Sequence, residues 1–183
     1  MGAGRKIRIR EVVEVMKKLV LSLYVDNTFG VLSRIAGLFS RRGYNIDSLT
    51  VAATEDPAYS RMTVVANGDK QILEQITKQL AKLEDVREIR TLTSDDSVCR
   101  ELVLIKVEAG EKERQAIIAT SDIFRARIVD ISKDSLMIEL TGNQAKIDAF
   151  IHLLEGVKIR EMVRTGVTGL PRGACDMGEL IED

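Results

Sequence analysis

The chain has no tryptophan, one histidine and two cysteines among its 183 residues. Each shortage removes a class of chemistry. With only His152, one chain cannot supply two imidazoles to a site. Cys99 and Cys175 lie far apart and form no C-x-x-C pair, which argues against a disulfide framework or a zinc site. Cys99 has only Arg100 as a basic neighbour, so it reads as a packing residue, not an activated thiol. Long apolar runs are missing too. No stretch of 18 apolar residues exists to span a membrane. Residues 1–18 are charged throughout and contain no apolar h-region, so they do not read as a signal peptide. A soluble cytoplasmic protein is the resulting expectation. An excess of one charge is also absent: 27 Lys and Arg stand against 28 Asp and Glu. A dedicated binder of nucleic acid or anionic membrane usually carries a basic excess.

What remains is a globular composition, 45% apolar, long enough for one or two domains. Residues 1–17 show no clear pattern and read as an N-terminal extension. From Lys18 the pattern sharpens. Leu19, Leu21, Leu23 and Val25 alternate with Val20, Ser22 and Tyr24, the period of a strand. Asp26-Asn27-Thr28 offers helix-capping side chains, and Leu32, Ile35, Ala36 and Phe39 then recur at helical spacing. Gly30 and Gly37 lie seven apart, on another side of that helix. Arg41-Arg42-Gly43 supplies cations and a glycine to end it. Strands over 45–54 and 60–66, a helix carrying Ile72, Ile76, Leu80 and Leu83, and a strand over 86–92 complete a β-α-β-β-α-β order. After the polar linker 93–97 the same order recurs with little sequence similarity. The predicted fold class is therefore α+β: two ferredoxin-like βαββαβ domains, over 18–93 and 97–173. The Gly-rich, acidic stretch from Gly169 onward reads as a poorly ordered tail.

One junction carries most of the chemical information. Asp26-Asn27-Thr28-Phe29-Gly30 opens the first helix, and Gly43-Tyr44-Asn45-Ile46-Asp47 leaves it. A helix N-terminus offers unpaired N–H groups and favours an anion. Gly30 lets a ligand reach the backbone, and Asn27 and Asn45 each carry a donor and an acceptor. Val31, Leu32 and Ile46 are available to line an aliphatic pocket. This inventory suits a small aliphatic amino acid better than a phosphate, since no Lys or Arg accompanies the turn and Arg34 lies a turn deeper. Ordinary helix caps explain the same residues without any ligand, and both readings stand at this level.

A resemblance bears on that choice. Asp26-Asn27-x-x-Gly30-Val31-Leu32-Ser33-Arg34-Ile35 and the run from Arg41 to Val51 resemble the ACT domain of the acetolactate synthase (acetohydroxyacid synthase) small, regulatory subunit family. Ser60-Arg61-Met62-Thr63 and Arg164-Thr165-Gly166-Val167-Thr168-Gly169-Leu170-Pro171-Arg172-Gly173 match as well. The likeness covers residues 18–173. It implies a noncatalytic protein that binds the acetolactate synthase catalytic large subunit, raises its activity and confers feedback inhibition by valine or another branched-chain amino acid. It also implies a homodimer through the ACT domains. In that dimer Asn27, Gly30, Val31 and Leu32 of one chain would bind effector together with Asn45 and Ile46 of the other. No cofactor is expected in this chain; thiamine diphosphate, FAD and magnesium belong to the catalytic partner. Another amino-acid-sensing ACT regulator is the alternative.

Two other function classes compete. The β-α-β-β-α-β order is also that of RNA-recognition modules, which need stacking aromatics on the central strands. Here those strands hold only Tyr24. A small stand-alone enzyme lacks its parts: Asp26 and Asp47 have no nucleophile, metal-ligand set or cofactor loop beside them.

Overall fold

The computed structural model describes residues 17–174, and the readings made for residues 1–16 and 175–183 lie outside the described residues. The first unit comprises β1 (Lys17–Asp26), α1 (Val31–Arg41), β2 (Ile46–Ala53), β3 (Tyr59–Gly68), α2 (Lys70–Leu80) and β4 (Val86–Thr91). Its strands form one antiparallel sheet in the order β2-β3-β1-β4. The period-2 pattern of β1 decides which face meets the helices. Leu21, Leu23 and Val25 join Met62 and Val64 of β3, Ile35 and Phe39 of α1, and Ile76 and Leu80 of α2 in one buried core. Each such side chain contributes about 1.5–3 kcal/mol when fully buried.

The second unit repeats the order: β5 (Ser97–Glu108), α3 (Glu111–Ile123), β6 (Arg127–Ser132), β7 (Ser135–Gly142), α4 (Gln144–Leu153) and β8 (Ile159–Arg164). Its sheet order, β6-β7-β5-β8, is that of the first unit. Val103, Ile105, Val107, Leu136, Ile138, Ile147 and Phe150 form a separate core. Helices α2 and α4 are capped as their sequences dictate: Asp69 accepts from the Ile72 amide at 2.7 Å and Asn143 from that of Lys146 at 2.9 Å.

Two expectations require correction. The stretch from Gly169 is not wholly tail, because Thr168–Pro171 forms β9, which pairs with residues 97–100 of β5. Strand β5 is twelve residues long, and β8 covers only Val103–Val107, so its first half offers free ladder groups that β9 takes up. The second correction concerns the start of α1. Its N-cap is Gly30, at φ 86°, and no side chain caps it. Asp26 is instead engaged by Nε and Nη2 of Arg87, at 2.7 and 2.6 Å, and Asn27 donates to the Pro57 carbonyl at 2.9 Å. A charge-assisted bidentate pair outcompetes a single bond to an amide.

Between β8 and β9 the chain bulges at Gly166 and Val167. This bulge meets the face of the first sheet opposite its helices. Val167 donates its amide to Ser48 Oγ at 2.9 Å, and its carbonyl accepts from Thr50 Oγ1 at 3.1 Å. Gly166 adopts φ 87°, and a Cβ there would stand 2.5 Å from Ser48 Oγ, so only glycine fits.

Candidate functional site

The ends of α1 carry the six residues singled out from sequence. At its N-terminus Gly30 holds a left-handed conformation. The Arg34 guanidinium lies over it, with Nη1 2.9 Å from where a glycine Cβ would be. Arg34 binds Asp85 through two hydrogen bonds, at 2.6 and 2.7 Å. That guanidinium holds the Asp85 carboxyl below the usual carboxylate range, by hydrogen bonding first and charge second. With no side-chain cap, the first-turn amides remain open: Val31 N reaches Thr28 O only at 3.5 Å. Unlike the exposed Leu32, the Val31 side chain is buried in the core, so it cannot line an aliphatic pocket and only its backbone is accessible at the turn. Asn27 is exposed, and its Oδ1 accepts no hydrogen bond among the described residues. The turn therefore presents amide donors for a carboxylate beside an amide oxygen for an ammonium. Phe29 next to it is fully exposed.

At the other end, α1 closes by the expected glycine motif. The Gly43 amide donates to Ser40 O at 3.2 Å and that of Tyr44 to Phe39 O at 3.0 Å. Asn45 follows, exposed, with its amide nitrogen donating to Asp47 Oδ1 at 2.6 Å. Ile46 starts β2 and packs against the first core. Asn67 of β3 donates to the second oxygen of Asp47.

Within one chain these two groups do not meet. An 11-residue helix is about 16 Å long, far more than an aliphatic amino acid spans. The sequence places Arg34 a turn deeper, whereas its guanidinium lies back over Gly30, and Asp85 and Arg87 were not foreseen as neighbours of the turn. Asp85 immediately precedes β4 and Arg87 lies within it, and no local pattern links them to residue 30.

Two features bear on the competing classes. The sheet face that an RNA-recognition module would use is covered: Tyr24 is buried, stacked on Tyr59 with ring centroids 4.8 Å apart. Among the described residues, no group of three or more His, Cys, Asp or Glu is placed to hold a metal ion, and no helix is long and apolar enough to cross a membrane.

Comparison with known proteins agrees across both units. Residues 21–88 match the family model described as an AHAS small subunit-like ACT domain, and residues 100–173 match that of the small subunit of acetolactate synthase. A probable acetolactate synthase small subunit of Methanothermobacter thermautotrophicus is 50% identical over 159 residues, covering 86% of this chain and 95% of the relative. Isozyme 3 small subunit of Escherichia coli is 46% identical over 155 residues, covering 84% and 95%. The crystal structure of the acetolactate synthase small subunit from Thermotoga maritima superposes with a TM-score of 0.78 at 37% identity, covering 87% of this chain and 99% of that one. With both domain folds matched in order along nearly the whole of these relatives, the chain belongs to the acetolactate synthase small-subunit family.

Proposed function

We propose that the chain acts as a noncatalytic regulatory subunit: it binds the acetolactate synthase catalytic subunit, raises its activity, and lowers it when valine or a related branched-chain amino acid binds at an ACT dimer interface. One observation carries this reading. The two ligand-suited groups, Asn27 with the Gly30 turn and Asn45 with Ile46, sit at opposite ends of one helix beside a free sheet edge. Strand β2 is that edge. Pairing it antiparallel with β2 of a second copy, about a two-fold axis, sets the two α1 helices side by side in opposite directions. The Gly30 turn of one chain then faces Asn45 and Ile46 of the other. Free first-turn amides of one chain and the Asn45 side-chain N–H of the other take the carboxylate, the Asn27 amide oxygen takes the ammonium, and Leu32 with Ile46 receives the aliphatic side chain. Thiamine diphosphate, FAD and magnesium stay with the catalytic partner.

Inhibition follows if the effector-bound dimer binds or positions the catalytic subunit differently from the empty one, since a ligand without differential affinity shifts nothing. Linkage then requires the catalytic subunit to change effector affinity by the same factor. Isothermal titration of the protein with valine, leucine and isoleucine tests the assignment. Heat with at least one, lost in Gly30→Asp, is expected; no heat with any of them on a folded dimer overturns it.

A further inference from the structure

Strand β2 serves two masters. Its first residues, after Asn45, belong to the effector half-site, and the next ones, Ser48 and Thr50, hold the second domain through both backbone groups of Val167. Between the two sits an irregularity: the pairing of β2 with β3 shifts register between Ile46 and Ser48, so Asp47 is a bulge residue. The Asp47 carboxylate is shared, one oxygen taken by the amide nitrogen of Asn45 and the other by that of Asn67. The element it faces is itself a bulge, Gly166–Val167, whose fit against Ser48 tolerates no side chain. Beside this contact Glu101 and Arg164 of the second domain form a bidentate ion pair, with both bonds at 2.7 Å, in a cleft of about 510 Å³ that also touches Asp47, Ser48 and Asn67.

We infer that Asp47 competes with the effector for Asn45, and that Ser48 and Thr50 pass the outcome to the second domain through Val167. The inference rests on the effector reading above. In the empty protein one of the two N–H donors of the Asn45 side-chain amide is taken by Asp47. A ligand carboxylate that takes this donor releases one oxygen of the bulge carboxylate and leaves it held by Asn67 alone. The bulge then relaxes, and the strand segment carrying Ser48 and Thr50 shifts against the Val167 backbone. Asp47 is thus a positioning residue that sets the position of β2, and the second domain reads that position.

The test uses the full chain with its catalytic subunit. The Ser48→Ala/Thr50→Val variant is expected to bind valine within about threefold of the wild type by calorimetry and to activate normally, while half-inhibition needs at least tenfold more valine. Restoring one hydroxyl with Ser48→Ala/Thr50→Ser should bring the inhibition part-way back, which a merely misfolded variant would not do. Asp47→Ala should bind valine at least as tightly as the wild type, because Asn45 is no longer occupied. Hydrogen exchange gives a second readout: valine changes the exchange rate of the Val167 amide in the wild type but not in Asp47→Ala. Wild-type inhibition in the Ser48/Thr50 variant, or a valine response at Val167 that survives Asp47→Ala, overturns the relay and leaves the effector site standing. Absence of valine, leucine and isoleucine binding to the wild type removes the effector site and the relay together.

Discussion

Single residues decide where charge can be buried here. Glu101 is 5% exposed, and its carboxylate is held by Arg164, whose hydrogen bonds and charge keep it below its ordinary titration range. Removing Arg164 leaves that carboxylate without its cation. A broken buried pair costs about 3–5 kcal/mol, and the 31% exposure of the Arg164 side chain places this one at the lower end. Arg164→Ala is therefore expected to lose about 3 kcal/mol at pH 7, read from urea midpoints at constant slope. The pH dependence has a definite sign. A carboxyl whose folded value is depressed contributes stability above its unfolded value, near 4.3, and loses it as pH falls through the folded one. The gap between wild type and Arg164→Ala should accordingly narrow on acidification below about pH 4. A gap that stays constant to pH 2.5 would show that the ion pair is not its source.

At the scale of elements, α1 is organised by its two faces. Ile35, Leu38 and Phe39 are buried in the core of the first unit. On another side Ser33, Gly37 and Ser40 present small side chains where a second α1 would lie. Gly37 faces no backbone, and its Cβ position meets only the flexible end of Arg41, at 3.2 Å. A larger residue is thus compatible with the monomer and not with close approach of a second helix. Gly37→Glu should remain monomeric in sedimentation equilibrium under conditions where the wild type forms the proposed dimer, while the far-ultraviolet circular dichroism stays unchanged. A dimer that persists in this variant excludes the proposed side-by-side pairing of α1 helices.

At the scale of the molecule, two cores of similar construction are joined by the linker, the bulge and the packing of β9 against the first sheet. Each sheet closes its own hydrophobic cluster. The Val167 clamp and the bond from Lys18 to Gln144 tie the second domain to the first. The wild type is expected to unfold in one calorimetric transition. Ser48→Ala/Thr50→Val should split it into two, one for each core. A single transition in that variant would mean that the apolar contacts around Val167 suffice to couple the domains.

The sequence by itself determined both β-α-β-β-α-β orders, because alternation in strands such as Leu19–Val25 and the helical spacing of Ile35 and Phe39 are local periodicities that burial of one face enforces. It also marked Gly30, Asn27, Asn45 and Ile46, since glycine and asparagine at helix ends carry a local chemical meaning. It misread the capping of α1, because Asp26 and Asn27 are capping residue types whose partners, Arg87 and Pro57, lie 61 and 30 residues away. It missed β9, since a four-residue strand next to glycines has no periodicity of its own and exists only because β5 leaves ladder groups free. The tertiary structure alone decided that the second domain is fastened to the same strand as Asn45. That contact joins chain segments more than 100 residues apart, and no local pattern encodes the meeting.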